Sequence, residues 1–361
     1  MKPWFGYREV MSGQRRGLSA SGLRVVLRLA SVAYGAAVCW RRWRYDRGRA
    51  EIHRVDVPVI SVGNLTTGGT GKTPLVCFIA QQLRGAGLRV ALVSRGYGRG
   101  EAALNDEALE LEQRLPDVPH IQDPDRVKAA EIAIEELASQ VIVLDDGFQH
   151  RRLHRDLEIV VIDATCPFGF GALLPRGMLR EPLSSIRRAE IAILSRCDAV
   201  DPERRAAIRE RYFELNERLA WFESAHRPRR LIGFRGATTI EKSLGALRGK
   251  RIAAFCGIGN PDAFAATIRQ CQADLVAFKP LSDHAVFDQQ TMGALVDWLQ
   301  SLDSIDWVLC THKDLVKVRA DRLAGINLFA VQIDLEWLGD AAPLRERLIS
   351  AATLGRGTER A

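Results

Sequence analysis

The 361-residue sequence predicts an α/β fold: a parallel-sheet domain and a second, smaller α/β domain, preceded by an amphipathic helix. Three observations carry that expectation. Short β-branched runs alternate with helical patterns along most of the chain, as in βαβ units. One run ends in a Gly-rich loop followed by a helix start. The first fifty residues differ sharply in charge from the rest. Length alone exceeds one domain of ~100 to 200 residues, and the division expected is 1–50, 51–230 and 231–361. A content of 47% hydrophobic and 26% charged residues excludes a mostly disordered or multi-span membrane chain.

The net charge of +7 is local in origin. Residues 1–50 hold eleven Lys or Arg against Glu9 and Asp46, a net of +9, which leaves the remainder near neutral at −2. An acidic partner of the N-terminus alone is implied, and a membrane surface and a nucleic acid both qualify. From Leu18 to Trp40 the spacing is amphipathic. Leu23, Val26, Leu27, Ala30, Ala33 and Tyr34 share one helical face, and Arg24, Arg28, Ser31 and Gly35 another. Trp4, Trp40, Trp43 and several Arg flank the stretch, the mixture of a helix lying in an anionic headgroup layer. Seven scattered cysteines without a C-x-x-C argue for reduced core residues and against a zinc or disulfide framework.

Val57 to Val62 reads as a buried parallel strand, with helical periodicity resuming from Leu75 to Leu83. Between them lie Thr66, Thr67, Gly68, Gly69, Thr70, Gly71, Lys72 and Thr73. Strand, Gly-rich loop and helix form the setting of a phosphate-binding P-loop, so the first domain is expected to be P-loop NTPase-like. Backbone N–H groups would curl around phosphate oxygens, Lys72 would reach the β/γ-phosphates, and Thr73 would offer its hydroxyl to Mg²⁺. The first position of the motif is Thr66 instead of Gly.

Later strands end in charged groups. Val90 to Ser94 opens into Arg95-Gly96-Tyr97-Gly98-Arg99, where base stacking by Tyr97 and a solvated turn are both compatible with the pattern. Asp106 and Glu107 begin a helical stretch, a place where acids commonly cap. Val141 to Leu144 runs into Asp145 and Asp146, the form of a Walker B strand that holds a carboxylate near nucleotide-bound Mg²⁺. Two adjacent acids need a cation nearby. Strands follow at 158–163 and 190–194, and between them Arg180, Glu181, Arg187 and Arg188 are either ligands of an anion or metal or ordinary surface charges. A linker is expected at His226 to Arg230. Beyond it come strands at 231–234, 251–256, 274–278, 307–310 and 328–333 with intervening helices, and two candidate spots, Asp283-His284 and Lys313-Asp314.

In their order along nearly the whole chain, the P-loop string, Arg95 to Arg99, Asp106-Glu107, Asp125-Arg126, Asp145-Asp146-Gly147-Phe148-Gln149-His150, Arg180-Glu181-Pro182, Gly257 to Pro261, Asp283-His284 and Lys313-Asp314 resemble the tetraacyldisaccharide 4′-kinases. The resemblance implies ATP- and Mg²⁺-dependent transfer of a γ-phosphoryl group to the 4′-hydroxyl of a tetraacyl glucosamine disaccharide 1-phosphate in lipid A biosynthesis. It further implies an enzyme at the cytoplasmic face of the inner membrane, peripheral or monotopic, with the anionic membrane surface as a partner, no nucleic acid and no obligate protein partner.

By the same resemblance, Thr66 to Thr73 and Tyr97 serve the nucleotide, and Thr73, Asp145 and Glu181 serve Mg²⁺. Lys72 acts on the transferred group. Asp106 is the expected base, paired with His284 from a second domain that closes over substrate, and Asp146 is the rival base. The sequence departs from the family pattern in a short segment, Gly100 to Asn105, before Asp106, in Leu104-Asn105 where Val-Gly is usual, and in Ala285 where a second His is frequent. A membrane-associated P-loop ATPase or GTPase switch acting on a protein partner is the alternative.

Overall fold

The computed structural model describes residues 9–96, 106–236, 238–282 and 285–353. In chain order the first elements are α1 (Leu18–Asp46), β1 (Val59–Asn64), α2 (Lys72–Gly85), β2 (Val90–Ser94), α3 (Asp106–Arg114), β3 (His120–Gln122), α4 (Arg126–Glu135), β4 (Val141–Asp145), β5 (Leu157–Asp163), β6 (Ile191–Ser195), α5 (Pro202–Phe213) and β7 (Ala220–Arg235). There follow β8 (Thr238–Ser243), β9 (Arg251–Cys256), α6 (Pro261–Gln270), β10 (Asp274–Pro280), α7 (Gln289–Gln300), β11 (Trp307–Thr311), α8 (His312–Val318), β12 (Arg322–Leu323), β13 (Ile326–Trp337) and α9 (Ala342–Thr353). They form two compact units, one of Met1–Gly96, Leu115–Ala225 and Glu336–Ala361, the other of Tyr97–Arg114 and His226–Leu335. Neither unit is continuous in sequence. The C-terminal helix α9 packs on α2 and β1 of the first unit, and the segment 97–114 is grouped with the second.

In the first unit the sheet order is β3-β2-β4-β1-β5-β6-β7, and every pairing is parallel. β1, β2, β4 and β6 are buried at every position, as both-face coverage by helices requires of β-branched runs. On α2, Leu75, Val76, Ile79 and Leu83 are inaccessible or nearly so. Each such side chain contributes ~1.5 to 3 kcal/mol by burial. The chain moves from β1 outward to β2 on one side and later crosses to β5 on the other, so the strand order reverses at β1. Crevices at the carboxyl ends of such strands are where open α/β sheets bind ligands.

The second unit builds its own sheet. β10, β9, β11 and β13 are joined by parallel pairings, while β8 pairs antiparallel with the later part of β7. The run His226 to Arg230 is strand, not the linker expected from its charges. His226, Pro228 and Arg230 are half-buried and alternate with exposed Arg227 and Arg229, which is the period of two that a pleated strand imposes. Pro228 is tolerated because it falls between the stretch paired with β6, Ala220 to Glu223, and the stretch paired with β8, Arg230 to Arg235.

Helix α1 spans 29 residues, and by length and composition it could cross a bilayer. Its orientation reverses that of an ordinary surface helix. Leu27, Ser31, Tyr34, Gly35, Val38 and Arg42 form the half-buried stripe. Val26, Leu29 and Val32 face outward, with Leu29 69% and Val32 67% exposed.

Candidate active site

β1 delivers the chain into the loop Leu65 to Gly71, and the loop is tied down on several sides. The Asn64 side-chain amide donates to the Thr66 carbonyl (2.7 Å) and the Thr70 hydroxyl (3.1 Å). The Ser195 hydroxyl, at the end of β6, donates to the Thr70 carbonyl at 2.7 Å. A second loop closes over the first. Thr67 N–H donates to the Met178 carbonyl (2.8 Å) and Arg180 N–H to the Leu65 carbonyl (2.7 Å). Thr66, at the motif's unusual first position, forms a bridge with Leu179 and has no positive φ, so its backbone has no need of glycine.

Gly71 does need its freedom. It sits at φ 85° immediately before α2, which begins without a side-chain cap. Lys72 opens the helix, and Thr73 lies in its first turn.

Beside the loop, register places Asp145 opposite Val62 of β1. Asp145 is buried at 5% exposure, and the chain then turns at Asp146, whose φ of 52° lies in the left-handed region. Lys72 Nζ lies 3.3 Å from Asp146 Oδ1. Arg180 Nη1 donates to both Asp146 carboxylate oxygens (2.9 and 2.8 Å) and to Gln149 Oε1 (3.2 Å). Burial would raise the Asp146 carboxyl pKa, but the charges of Lys72 and Arg180 outweigh it and hold the group well below the usual carboxylate range. Gln149 completes the frame by donating to the Asn64 carbonyl at 2.8 Å.

Two further arginines serve this turn. Arg188 pairs with the buried Glu181 at 2.7 Å, donates to the Phe148 carbonyl at 3.1 Å and lies over the Phe148 ring. Arg155 donates to the carbonyls of Gly147 and Phe148 and pairs with Glu158 at 3.0 Å. Arg126, buried at the start of α4, is close enough to Asp145 and Asp146 for their charges to act on its pKa. Burial and Arg126 together push His150 down to about 4, so that imidazole is neutral at physiological pH.

The structure brings Lys72 to Asp146, with Thr73 next along α2 and Asp145 at the end of β4, and adds Arg180 and Gln149, whose roles sequence position did not reveal. Glu181 is held by Arg188. Of Asp106 the backbone alone is described, as the first residue of α3. Tyr97, Asp283 and His284 lie outside the described residues. Asp314 is buried and accepts hydrogen bonds from Gly257 N–H (3.0 Å) and Thr311 Oγ1 (2.6 Å), which anchors the Gly257 turn inside the second unit.

For Mg²⁺ the donors present are suitable in kind, the Thr73 hydroxyl in the first turn of α2 and the Asp145 carboxylate at the carboxyl end of β4. Among the described residues no three His, Cys, Asp or Glu cluster as a preformed cage.

Strand, anchored Gly-rich loop, helix-borne lysine and strand-end carboxylates at a sheet's switch point define a P-loop phosphotransferase. The model of the tetraacyldisaccharide-1-P 4′-kinase family matches residues 23–353. A tetraacyldisaccharide 4′-kinase of Anaeromyxobacter sp. (strain K) is 40% identical over 345 residues, covering 90% of each chain. One from Geobacter sulfurreducens is 35% identical over 363 residues, covering 95% of this chain and 97% of its own. The solved "apo" form of LpxK from Aquifex aeolicus in complex with ATP superposes with a TM-score of 0.73 at 29% identity, over 91% of this chain and 99% of that one. The chain belongs to the tetraacyldisaccharide-1-P 4′-kinase family.

Proposed function

We propose that this enzyme transfers the γ-phosphoryl group of ATP to the 4′-hydroxyl of a tetraacyl glucosamine disaccharide 1-phosphate. The observation that carries the reading is the convergence of Lys72 and Arg180 on Asp146 beside the phosphate loop, in a chain of this family. Phosphoryl transfer asks a protein mainly for positioning and neutralisation of charge. The loop amides from Gly68 to Thr73 cradle the phosphates, with the Thr67 amide tied to Met178, and Lys72 follows the transferred group. Mg²⁺, when bound, would neutralise charge on the phosphates, and Thr73, Asp145 and Glu181 are the residues proposed to hold it, Glu181 in company with Arg188.

Asp146 is a poor proton acceptor, because two cations stabilise its ionised form. Its role is to orient Lys72 and Arg180. That leaves Asp106, with His284, as the proposed base for the sugar hydroxyl. Tyr97 is proposed to stack on the adenine.

The outward apolar face of α1 supports residence in the cytoplasmic leaflet of the inner membrane, where the substrate's acyl chains keep it, at ~0.8 kcal/mol per buried CH₂. Trp40, 61% exposed, stacks with Arg44, and Arg49 lies over Trp43, placing aromatic and cationic groups together at one end of the helix.

The test is transfer from γ-labelled ATP to a tetraacyl disaccharide 1-phosphate in detergent micelles, with Lys72→Ala as control. Labelled lipid from wild type alone is the expected result. A folded, ATP-binding protein that labels no lipid would overturn the reading and favour an ATPase switch.

A further inference from the structure

The inward stripe of α1 and the exposed Arg41 beside it do more than pack. Tyr34 Oη donates to the carbonyl of Arg180 at 2.9 Å, and Arg41 donates to the carbonyl of Gln149. Ser31 Oγ donates to the Leu173 carbonyl and accepts from Arg176 N–H, both at 2.9 Å. Arg180 holds Asp146 through its guanidinium, and Gln149 braces that guanidinium through its Oε1. The helix that turns its apolar face outward thus grips, with its other face, the backbone of the groups that set the position of Asp146 and, through it, Lys72.

An anchor that served only to hold the enzyme at a surface would need no such contacts. A hydrogen bond to the carbonyl of Arg180 and another to that of Gln149 instead fix the origins from which Arg180 reaches Asp146 and Gln149 reaches Arg180. Misplacement of a charge-neutralising group by ~1 Å is enough to cost up to 10²-fold in rate. We propose that α1 is a structural wall of the phosphoryl-transfer site, with Tyr34 and Arg41 as positioning residues that act through Arg180 and Gln149. The proposal rests on the kinase reading for its turnover assay, but not for its binding assay.

The test compares wild type, Tyr34→Phe and Arg41→Lys. Tyr34→Phe keeps the ring and removes one hydroxyl; Arg41→Lys keeps the charge that faces a lipid surface and loses the guanidinium fork. Three quantities are measured: ATP affinity by calorimetry without lipid, kcat and KM for the tetraacyl disaccharide 1-phosphate in micelles, and binding to vesicles containing anionic phospholipid.

Each variant is expected to lose roughly 3- to 10-fold in kcat or in ATP affinity, the scale of one hydrogen bond. Vesicle binding and lipid KM should stay at wild-type values. A fall confined to vesicle binding or lipid KM, with kcat and ATP affinity intact in both variants, would overturn the proposal and leave α1 an anchor. Should wild type transfer no phosphoryl group, the kinase reading fails, and the lipid-free ATP affinities still decide the positioning role.

Discussion

The Lys72 ammonium lies 3.3 Å from the Asp146 carboxylate, joining the first turn of α2 to the turn that ends β4. Asp146 keeps Arg180 as a second partner, so losing the lysine does not leave a carboxylate without a cation. Lys72→Met should therefore fold with a melting temperature close to wild type and lose at least ~100-fold in kcat, the usual scale for removing one group that stabilises transition-state charge. Steady-state kinetics beside a thermal melt check this.

Because two cations keep Asp146 ionised, it does not account for an acid limb in the pH–rate profile above pH 5. Its depressed folded-state pKa stabilises the fold above the unfolded value of ~3.9, and that contribution is lost as pH falls through the folded value. In Arg180→Met the Asp146 carboxyl should titrate closer to the ordinary range, followed by NMR titration of its carboxyl carbon. An unchanged titration would show that Arg180 does not control this charge.

Gly63 in β1 has no room for a side chain. A Cβ there would lie 2.5 Å from Phe148 Cβ and 2.6 Å from the Phe148 backbone nitrogen. The strand leading to the phosphate loop and the turn after Asp146 touch through that missing atom. Gly63→Ala should destabilise by ~1 to 3 kcal/mol, as overpacking does, and weaken ATP binding. Urea unfolding and calorimetric titration report the two effects separately.

His312, at the start of α8, is buried, and burial lowers its pKa to about 4. The unfolded chain takes up this proton near pH 6.5, whereas the folded protein resists until about 4, so acidification through that interval favours unfolding. The slope due to this one imidazole reaches ~1.4 kcal/mol per pH unit. His312→Gln should flatten the dependence of unfolding free energy on pH between about 6.5 and 4.5, read from denaturant curves at several pH values.

Leu29 and Val32 point away from the protein, so replacing them leaves the core unaffected. The double substitution to Ser removes ~2 to 4 kcal/mol of apolar transfer energy and should weaken partition onto anionic vesicles at least ~10-fold, with no change in melting temperature. Sedimentation with vesicles measures it. Partition equal to wild type would rule out this face as the one that meets the membrane.

Several strands of both units were legible from local pattern. β2 at Val90–Ser94 and β9 at Arg251–Cys256 match the expected runs residue for residue, because a strand buried on both faces is a short, uninterrupted apolar run. The meeting of Lys72 with the Asp145-Asp146 pair followed from the same logic, since parallel strands bring their carboxyl ends to one edge. The polar stretch 226–230 misled, because charged side chains that alternate outward read as a loop until a partner strand is known.

What local pattern could not determine was which of several similar groups does what. Arg176, Arg180, Arg187 and Arg188 are four arginines in one stretch, and only the tertiary fold separates them: Arg180 onto Asp146, Arg188 onto Glu181, Arg176 onto the Met11 carbonyl, Arg187 onto that of Leu215. Asp146 is 34 residues from Arg180, and no periodicity spans such a distance. The spacing along α1 predicted two faces that the structure does not keep: Leu27 and Tyr34 of the expected apolar face lie half-buried beside Ser31 and Gly35 of the other, while Leu23 and Val26 face outward with Leu29 and Val32. Hydrogen bonds from Ser31, Tyr34 and Arg41 to carbonyls far away in sequence decide which face turns toward the protein.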